Sequence, residues 1–275
     1  MHDSSDASDT SDTSDTSDTS DTSGPADSEI FDEPSRWRAQ AARALGLDGD
    51  DLLAAVSPGA ACPMVLRSLV ASINATGRPR IIVDLGSGAG GISEWLRRHT
   101  GASVTAVEPA AGARQAAATL FPALSVRAGT AEDTGLTDRV ADAAVLCGVL
   151  SLIDEAEPVF AEVERILRPG GSLAVADLFS AGREPLTSRP NVFRSVEQVT
   201  AALSARGWSI VGVGCGTPEP GTTWAAAAAR VDEWIRSHCA ARPAFAAWAA
   251  DQDHLTRHMV EGDLIAACVV ASSPA

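Results

Sequence analysis

The strongest apolar run in the sequence, Ile81-Ile82-Val83-Asp84-Leu85, leads straight into Gly86-Ser87-Gly88-Ala89-Gly90. Near-continuous apolar character suits a strand buried on both faces of a parallel sheet. Glycine at every second position suits a turn where backbone passes close to a ligand. Apolar spacing then predicts a helix over 91–99, a strand over 103–107, a helix over 110–120 and a strand near 124–128. A strand over 141–147, a helix over 155–167, a strand over 172–177, a helix over 195–206 and a strand over 208–215 follow. The last alternation gives a strand over 263–270. Strands alternating with helices read as a parallel α/β sheet. Ahead of the first strand, 34–47, 51–56 and 63–76 read as helices, with Pro34 in the first turn of the earliest and Gly77 closing the last.

Composition changes this picture at one end only. The formal charge of −15 comes with 36 acidic residues, and eleven of them fall in 1–33, where there is no base. Five Ser-Asp-Thr repeats run from Ser8 to Thr22, so this segment has little to bury and is expected to be disordered. The remainder is close to charge balance and has neither a basic run nor a lysine, which argues against a nucleic-acid partner. No apolar run approaches the roughly 20 residues a membrane span needs, and the N-terminus lacks the pattern of a signal peptide. The five cysteines are scattered, as expected of reduced thiols in a cytoplasmic protein.

The Gly-rich turn carries the candidate chemistry. Gly-x-Gly-x-Gly is met by Gly86, Gly88 and Gly90, but Gly91 also completes the dinucleotide pattern, so the turn alone leaves both open. Asp84 precedes it, and Glu108 ends the second strand, where an acid accepts hydrogen bonds from ribose hydroxyls. From Val83 to Gly90 the chain resembles the first motif of the class I, Rossmann-like methyltransferases that use S-adenosylmethionine. A second phrase agrees: Leu167-Arg168-Pro169-Gly170-Gly171 stops a helix and launches the fifth strand.

The resemblance implies a seven-stranded, mostly parallel α/β sheet with its last strand antiparallel, flanked by helices. It covers roughly 80–215 and 263–271. It implies S-adenosylmethionine as cofactor, held by Asp84, Gly86, Ser87, Gly88, Gly90, Glu108 and Pro109, by Ala131, Glu132 and Asp133 after the third strand, and by Cys147 and Gly148 after the fourth. It divides the chain into a tail (1–33), a helical cap (34–79) and the methyltransferase domain (80–275).

Residues 216–262 lie where the family has a short hairpin. The sixth strand should end on the ligand edge, so this largely helical insertion is expected to be a lid over the acceptor. It holds Trp224, Trp234 and Trp248, together with His254 and His258, four residues apart. These histidines are the candidate bases for an acceptor that must lose a proton; Tyr is absent. A metal site on them, with Glu261 or Asp251, is the lesser reading, and none is expected. Arg183, Arg189 and Arg194 follow the fifth strand and are candidates for a substrate carboxylate, though solvated loop positions are the plainer expectation. The expected function is methyl transfer to a small molecule of secondary metabolism. The alternatives are a silent cofactor-binding relative acting through a partner and a methylation-triggered cyclase. No membrane partner is expected, and a homodimer stays open.

Overall fold

A computed structural model describes residues 27–57, 59, 61–188, 190–216 and 222–274. Three helices come first: α1 (Asp27–Ala44), α2 (Gly49–Ala55) and α3 (Pro63–Thr76). The core alternates as β1 (Ile81–Leu85), α4 (Gly91–Thr100), β2 (Ser103–Val107), α5 (Ala111–Leu120), β3 (Ser125–Arg127) and β4 (Ala141–Cys147). A 3-10 turn at Leu150–Leu152 leads to α6 (Ala156–Ile166) and β5 (Leu167–Ser180). Then come β6 (Leu186–Ser188), β7 (Asn191–Phe193), α7 (Val196–Ala205), β8 (Ser209–Cys215), α8 (Thr223–His238), α9 (Phe245–Glu261) and β9 (Leu264–Ser272).

Seven strands form one sheet in the order β3-β2-β1-β4-β5-β9-β8. The pairs from β3 to β5 are parallel, and β9 is antiparallel to both β5 and β8. Strand order reverses between β1 and β4, where open α/β sheets bind ligands beyond the C-terminal strand ends. β8 therefore runs in the direction of β5, and its C-terminal end lies on the same edge, as expected from the sequence.

Two cores hold the layers together. On one face α3 lays Val65, Leu66, Leu69, Val70 and Ile73 against β5, β8 and β9. These positions recur at helical spacing, so one stripe is buried and the other side stays polar. Truncating Ile73, which is fully buried, costs about 2–5 kcal/mol by transfer and cavity terms. On the other face α6 and α7 bury Val159, Phe160, Val163, Ile166, Val199 and Leu203. α7 starts at a capping box: the Ser195 hydroxyl accepts from the Gln198 N–H, and the Gln198 side chain accepts from the Ser195 N–H.

The structure departs from the sequence reading in three places. α1 begins at Asp27, and Pro34 lies inside it rather than in its first turn. β5 is longer than the expected 172–177 because β9 pairs with it as far as Ser180. The β6–β7 hairpin was not expected, because its strands are only three residues each; Ser188, Pro190 and Asn191 are the turn-forming residues that could have signalled it. The repeats between Ser8 and Thr22 lie outside the described residues.

The insertion is helical, as expected, and joins the N-terminal helices in one layer. α8 packs on α1 and α2. Buried Arg38 of α1 donates to the Ala55 carbonyl at 3.1 Å and to Asp232 of α8 at 2.7 Å. Trp37 and Trp248 meet edge to face with ring centroids 6.1 Å apart. Among the described residues, no helix is long and apolar enough to cross a membrane.

Candidate active site

The turn after β1 is shaped by its glycines. Gly86, Gly88 and Gly90 have φ of +71°, +54° and +83°, a region other residues rarely adopt. At Gly86 a side chain would also collide with the segment after β4, since a Cβ there would lie 2.5 Å from a Val149 methyl. Above Gly88 the space is open. The turn is tied to the second strand: the Gly86 and Ser87 N–H groups both donate to the Val107 carbonyl, at 2.8 and 3.0 Å.

Glu108 completes this tie. One carboxylate oxygen accepts from the Gly88 N–H at 2.8 Å and the other from the Ala110 N–H at 2.9 Å. The residue is buried, and desolvation pushes its carboxyl up, opposed by those two hydrogen bonds. Asp84 is buried beneath the turn and accepts from the Ser93 hydroxyl of α4 at 2.5 Å. Burial is the main cause of its pKa being pushed up to about 7; the Ser93 hydrogen bond opposes this, and the nearby Glu108 adds to it.

On the other side of the switch point, β4 ends at Cys147, whose thiol is pushed up by burial first and by Asp84 and Asp177 next. Gly148 has φ +69°, open space above its α-carbon, and an N–H that donates to the Ala176 carbonyl at 2.8 Å. The Asp177 carboxylate of β5 accepts from the Ser151 N–H, the Ser151 hydroxyl and the Leu178 N–H. Its burial raises its pKa to about 6 against those bonds. Sequence reading missed Asp177 and Ser151. The available signal was an acid inside the apolar run Leu173-Ala174-Val175-Ala176-Asp177-Leu178-Phe179.

The other expected positions fall as follows. Ala131 is buried, while Glu132, Asp133 and Pro109 are exposed. Asp133 turns its carboxylate toward the Gly135 N–H at 3.2 Å, inside its own loop. Arg194 is spent on the carbonyls of Leu150, Ile153 and Asp154. It is therefore a brace for the turn after β4 rather than a free receiver of a substrate carboxylate. Arg183 is exposed, and Arg189 lies outside the described residues.

His254 and His258 lie edge to face on α9 with ring centroids 4.5 Å apart. His258 Nδ1 is 2.9 Å from an Asp263 oxygen. His254 Nε2 is buried with no hydrogen-bond partner. Ligand atoms of His258, Glu261 and Asp263 lie within 4.8 Å of one another, so the group able to gather on a cation includes Asp263, not Asp251. His254 meets His258 along α9, and His258 meets Asp263 beyond the end of that helix.

Residues 83–175 match the family profile described as a methyltransferase domain. The sheet order and the turn at the switch point agree with that match. The fold is that of the class I S-adenosylmethionine-dependent methyltransferases. Among solved structures with this methyltransferase fold, a phosphoethanolamine N-methyltransferase 2 from Haemonchus contortus superposes with a TM-score of 0.64 at 14% identity, over 92% of this chain and 61% of that one. The cyclase SpnF gives 0.60 at 21% identity, over 76% of this chain and 80% of that one. A geranyl diphosphate C-methyltransferase from Streptomyces coelicolor A3(2) gives 0.54 at 15% identity, over 75% of this chain and 77% of that one. Compared by sequence with curated proteins, the chain matches none.

Proposed function

We propose that this protein is an S-adenosylmethionine-dependent methyltransferase acting on a small-molecule acceptor, in the cytoplasm and in secondary metabolism. The observation that carries the reading is Glu108, fixed at the tip of β2 by Gly88 and Ala110 beside a left-handed Gly-rich turn. The residues fit the cofactor. Space is open above Gly88 and Gly148, and the Ser87 hydroxyl is buried with no partner. The carboxylates of Asp84 and Asp177 surround Cys147 with negative potential suited to a sulfonium. When bound, the cofactor supplies an electrophilic methyl group.

The chain's own part is to bind, align and exclude water. Glu108 accepts from ribose hydroxyls. Asp177, Ser151 and Arg194 fix the turn after β4 so that Cys147 and Gly148 wall the site. α9 packs on β9, and in this reading it shapes the acceptor side together with α1, α2 and α8. Positioning of this kind supplies most of the rate in a direct displacement. For an acceptor that must lose a proton, His254 offers an unpartnered ring nitrogen as base.

The cyclase among the neighbours supports a second reading, in which methylation is followed by ring closure or the fold serves cyclisation alone. Calorimetric titration with S-adenosylhomocysteine, with NAD in parallel, tests the proposal. Micromolar binding of the first and none of the second is expected; no binding of S-adenosylhomocysteine sinks it.

A further inference from the structure

The end of α9 gathers an imidazole and two carboxylates. Ligand atoms of His258, Glu261 and Asp263 lie within 4.8 Å of one another, and His258 Nδ1 is 2.9 Å from an Asp263 oxygen. The helix cap builds this arrangement. Gly262 takes φ +80°, a left-handed conformation that ends the helix and turns the chain back. The Asp263 N–H then donates to the His258 carbonyl at 2.9 Å, which brings Asp263 back beside the last turn. The Asp263 carbonyl in turn accepts from the Ala181 N–H at 2.8 Å, just past the end of β5. Backbone bonds therefore hold the group in place before any ligand arrives.

Two further observations ask for a cation. Glu261 and Asp263 lie at the C-terminal end of a helix of 17 residues, where the partial charge is negative and acids are disfavoured. Among the described residues no arginine pairs with either acid; Asp263 has His258 alone, and Glu261 has no ion-pair partner. One turn earlier, His254 meets His258 edge to face with ring centroids 4.5 Å apart, and its buried Nε2 has no hydrogen-bond partner. A buried nitrogen in that state costs stability until something bonds to it. A hydrated cation on the three residues supplies the missing charge, and its water the missing partner.

We propose that His258, Glu261 and Asp263 bind one divalent transition-metal ion of the zinc type. An imidazole nitrogen beside two carboxylates suits zinc, whereas magnesium and calcium favour oxygen donors throughout. Three protein ligands leave a tetrahedral ion one position for water. The ion ties the last helix of the insertion to the start of β9, and so fastens the insertion to the sheet edge where β5 ends. Helical spacing pairs His254 with His258 and adds Glu261 or Asp251; the fold replaces His254 and Asp251 by Asp263.

The test is calorimetric titration of the full-length, chelator-treated protein with zinc chloride and no cofactor, so its result stands apart from the cofactor assignment. Micromolar binding of one ion per chain is expected. Glu261→Gln and Asp263→Asn should each weaken it at least about tenfold, since losing even a residue that only orients a ligand costs that much. Asp251→Asn should leave it unchanged. Both ligand positions are exposed and the substitutions keep side-chain size, so the metal-free variants should melt where the unaltered protein does. Zinc should raise the melting temperature of the unaltered protein but not that of Glu261→Gln, and magnesium should raise neither. Cobalt(II) checks for binding at the cysteines, because thiolate ligation gives a strong charge-transfer band in the near ultraviolet; none is expected. Zinc binding no tighter than millimolar, undiminished binding by Glu261→Gln and Asp263→Asn, an equal loss in Asp251→Asn, or a cobalt–thiolate band overturns the proposal.

Discussion

Asp177 holds Ser151 twice, accepting from its N–H at 3.0 Å and from its hydroxyl at 2.9 Å. The pair joins β5 to the turn after β4, and the Arg194 guanidinium closes the same turn from the other side through the Leu150, Ile153 and Asp154 carbonyls. The wall of the candidate cofactor site is therefore set by residues that need not touch a ligand. Ser151→Ala leaves a buried carboxylate short of one donor and should cost about 1–3 kcal/mol. Urea unfolding at neutral pH reads this directly, and an unchanged midpoint would show the second bond to be idle.

Asp84 gives a pH dependence whose sign can be worked out. Its folded-state pKa of about 7 lies above the ordinary 3.8. The folded protein thus holds this proton more tightly than the unfolded chain does. The contribution to stability is full below about 3.8 and is lost as the pH rises to about 7. Asp84→Asn keeps an acceptor for Ser93 and has no charge to bury. It should gain stability relative to the unaltered protein between pH 5 and pH 8, by at most about 4 kcal/mol. Parallel stability curves for the two proteins across that interval would be evidence that Asp84 titrates normally.

The same two carboxylates should make the site read charge. Asp84 and Asp177, raised to about 7 and about 6, both act on Cys147. A cation bound there favours their ionised forms. Affinity for the sulfonium S-adenosylmethionine should rise relative to that for neutral-sulfur S-adenosylhomocysteine as the pH increases from 5.5 to 8. Titrations of both at each pH measure the ratio, and a flat ratio would place the sulfur away from these acids.

Glu108→Ala should weaken S-adenosylhomocysteine by about 1–3 kcal/mol through loss of charge-assisted bonds to ribose. Because Glu108 also ties Gly88 to Ala110, Glu108→Gln is the companion variant. It retains an acceptor and should lose less. Equal affinity in all three proteins would remove Glu108 from the site.

His254→Ala should lower turnover of an acceptor that must lose a proton, with cofactor affinity intact, since the Gly-rich turn is tied by Val107 and Glu108. Steady-state rates paired with calorimetry separate the two. An equal rate returns His254 to a packing role on α9.

Much of the scaffold was legible because burial on both faces leaves a plain signature. The bounds read for 81–85, 103–107 and 141–147 coincide with β1, β2 and β4. Glu108 was legible because its place at a strand tip is set by local spacing. Asp177, Ser151 and Arg194 were not, because their roles depend on partners 26 or more residues away, as with Ser151 and Asp177. Pro34 misled because proline favours a first turn, yet here α1 continues through it, packed against α5 and α8. Asp263 joined His258 through a chain reversal at Gly262 that no helical spacing encodes.

The placing of β9 between β5 and β8 has a consequence for how such a protein changes its trade. The insertion leaves from the end of β8 and returns at the start of β9, and these strands are neighbours, with Cys215 paired to Ala267 and the Gly216 N–H donating to the Ala266 carbonyl. Its two anchors are thus about one strand spacing apart, roughly 5 Å, whatever lies between them. Doubling the length of a flexible loop closed in this way costs only about 0.6 kcal/mol. Closure therefore sets little limit on the length of 216–262; its content is set instead by the N-terminal helices, since Asp232 and Trp248 meet Arg38 and Trp37 of α1. A replacement segment would have to carry a matching face for α1 and α2, so the insertion and the N-terminal helices are expected to change together.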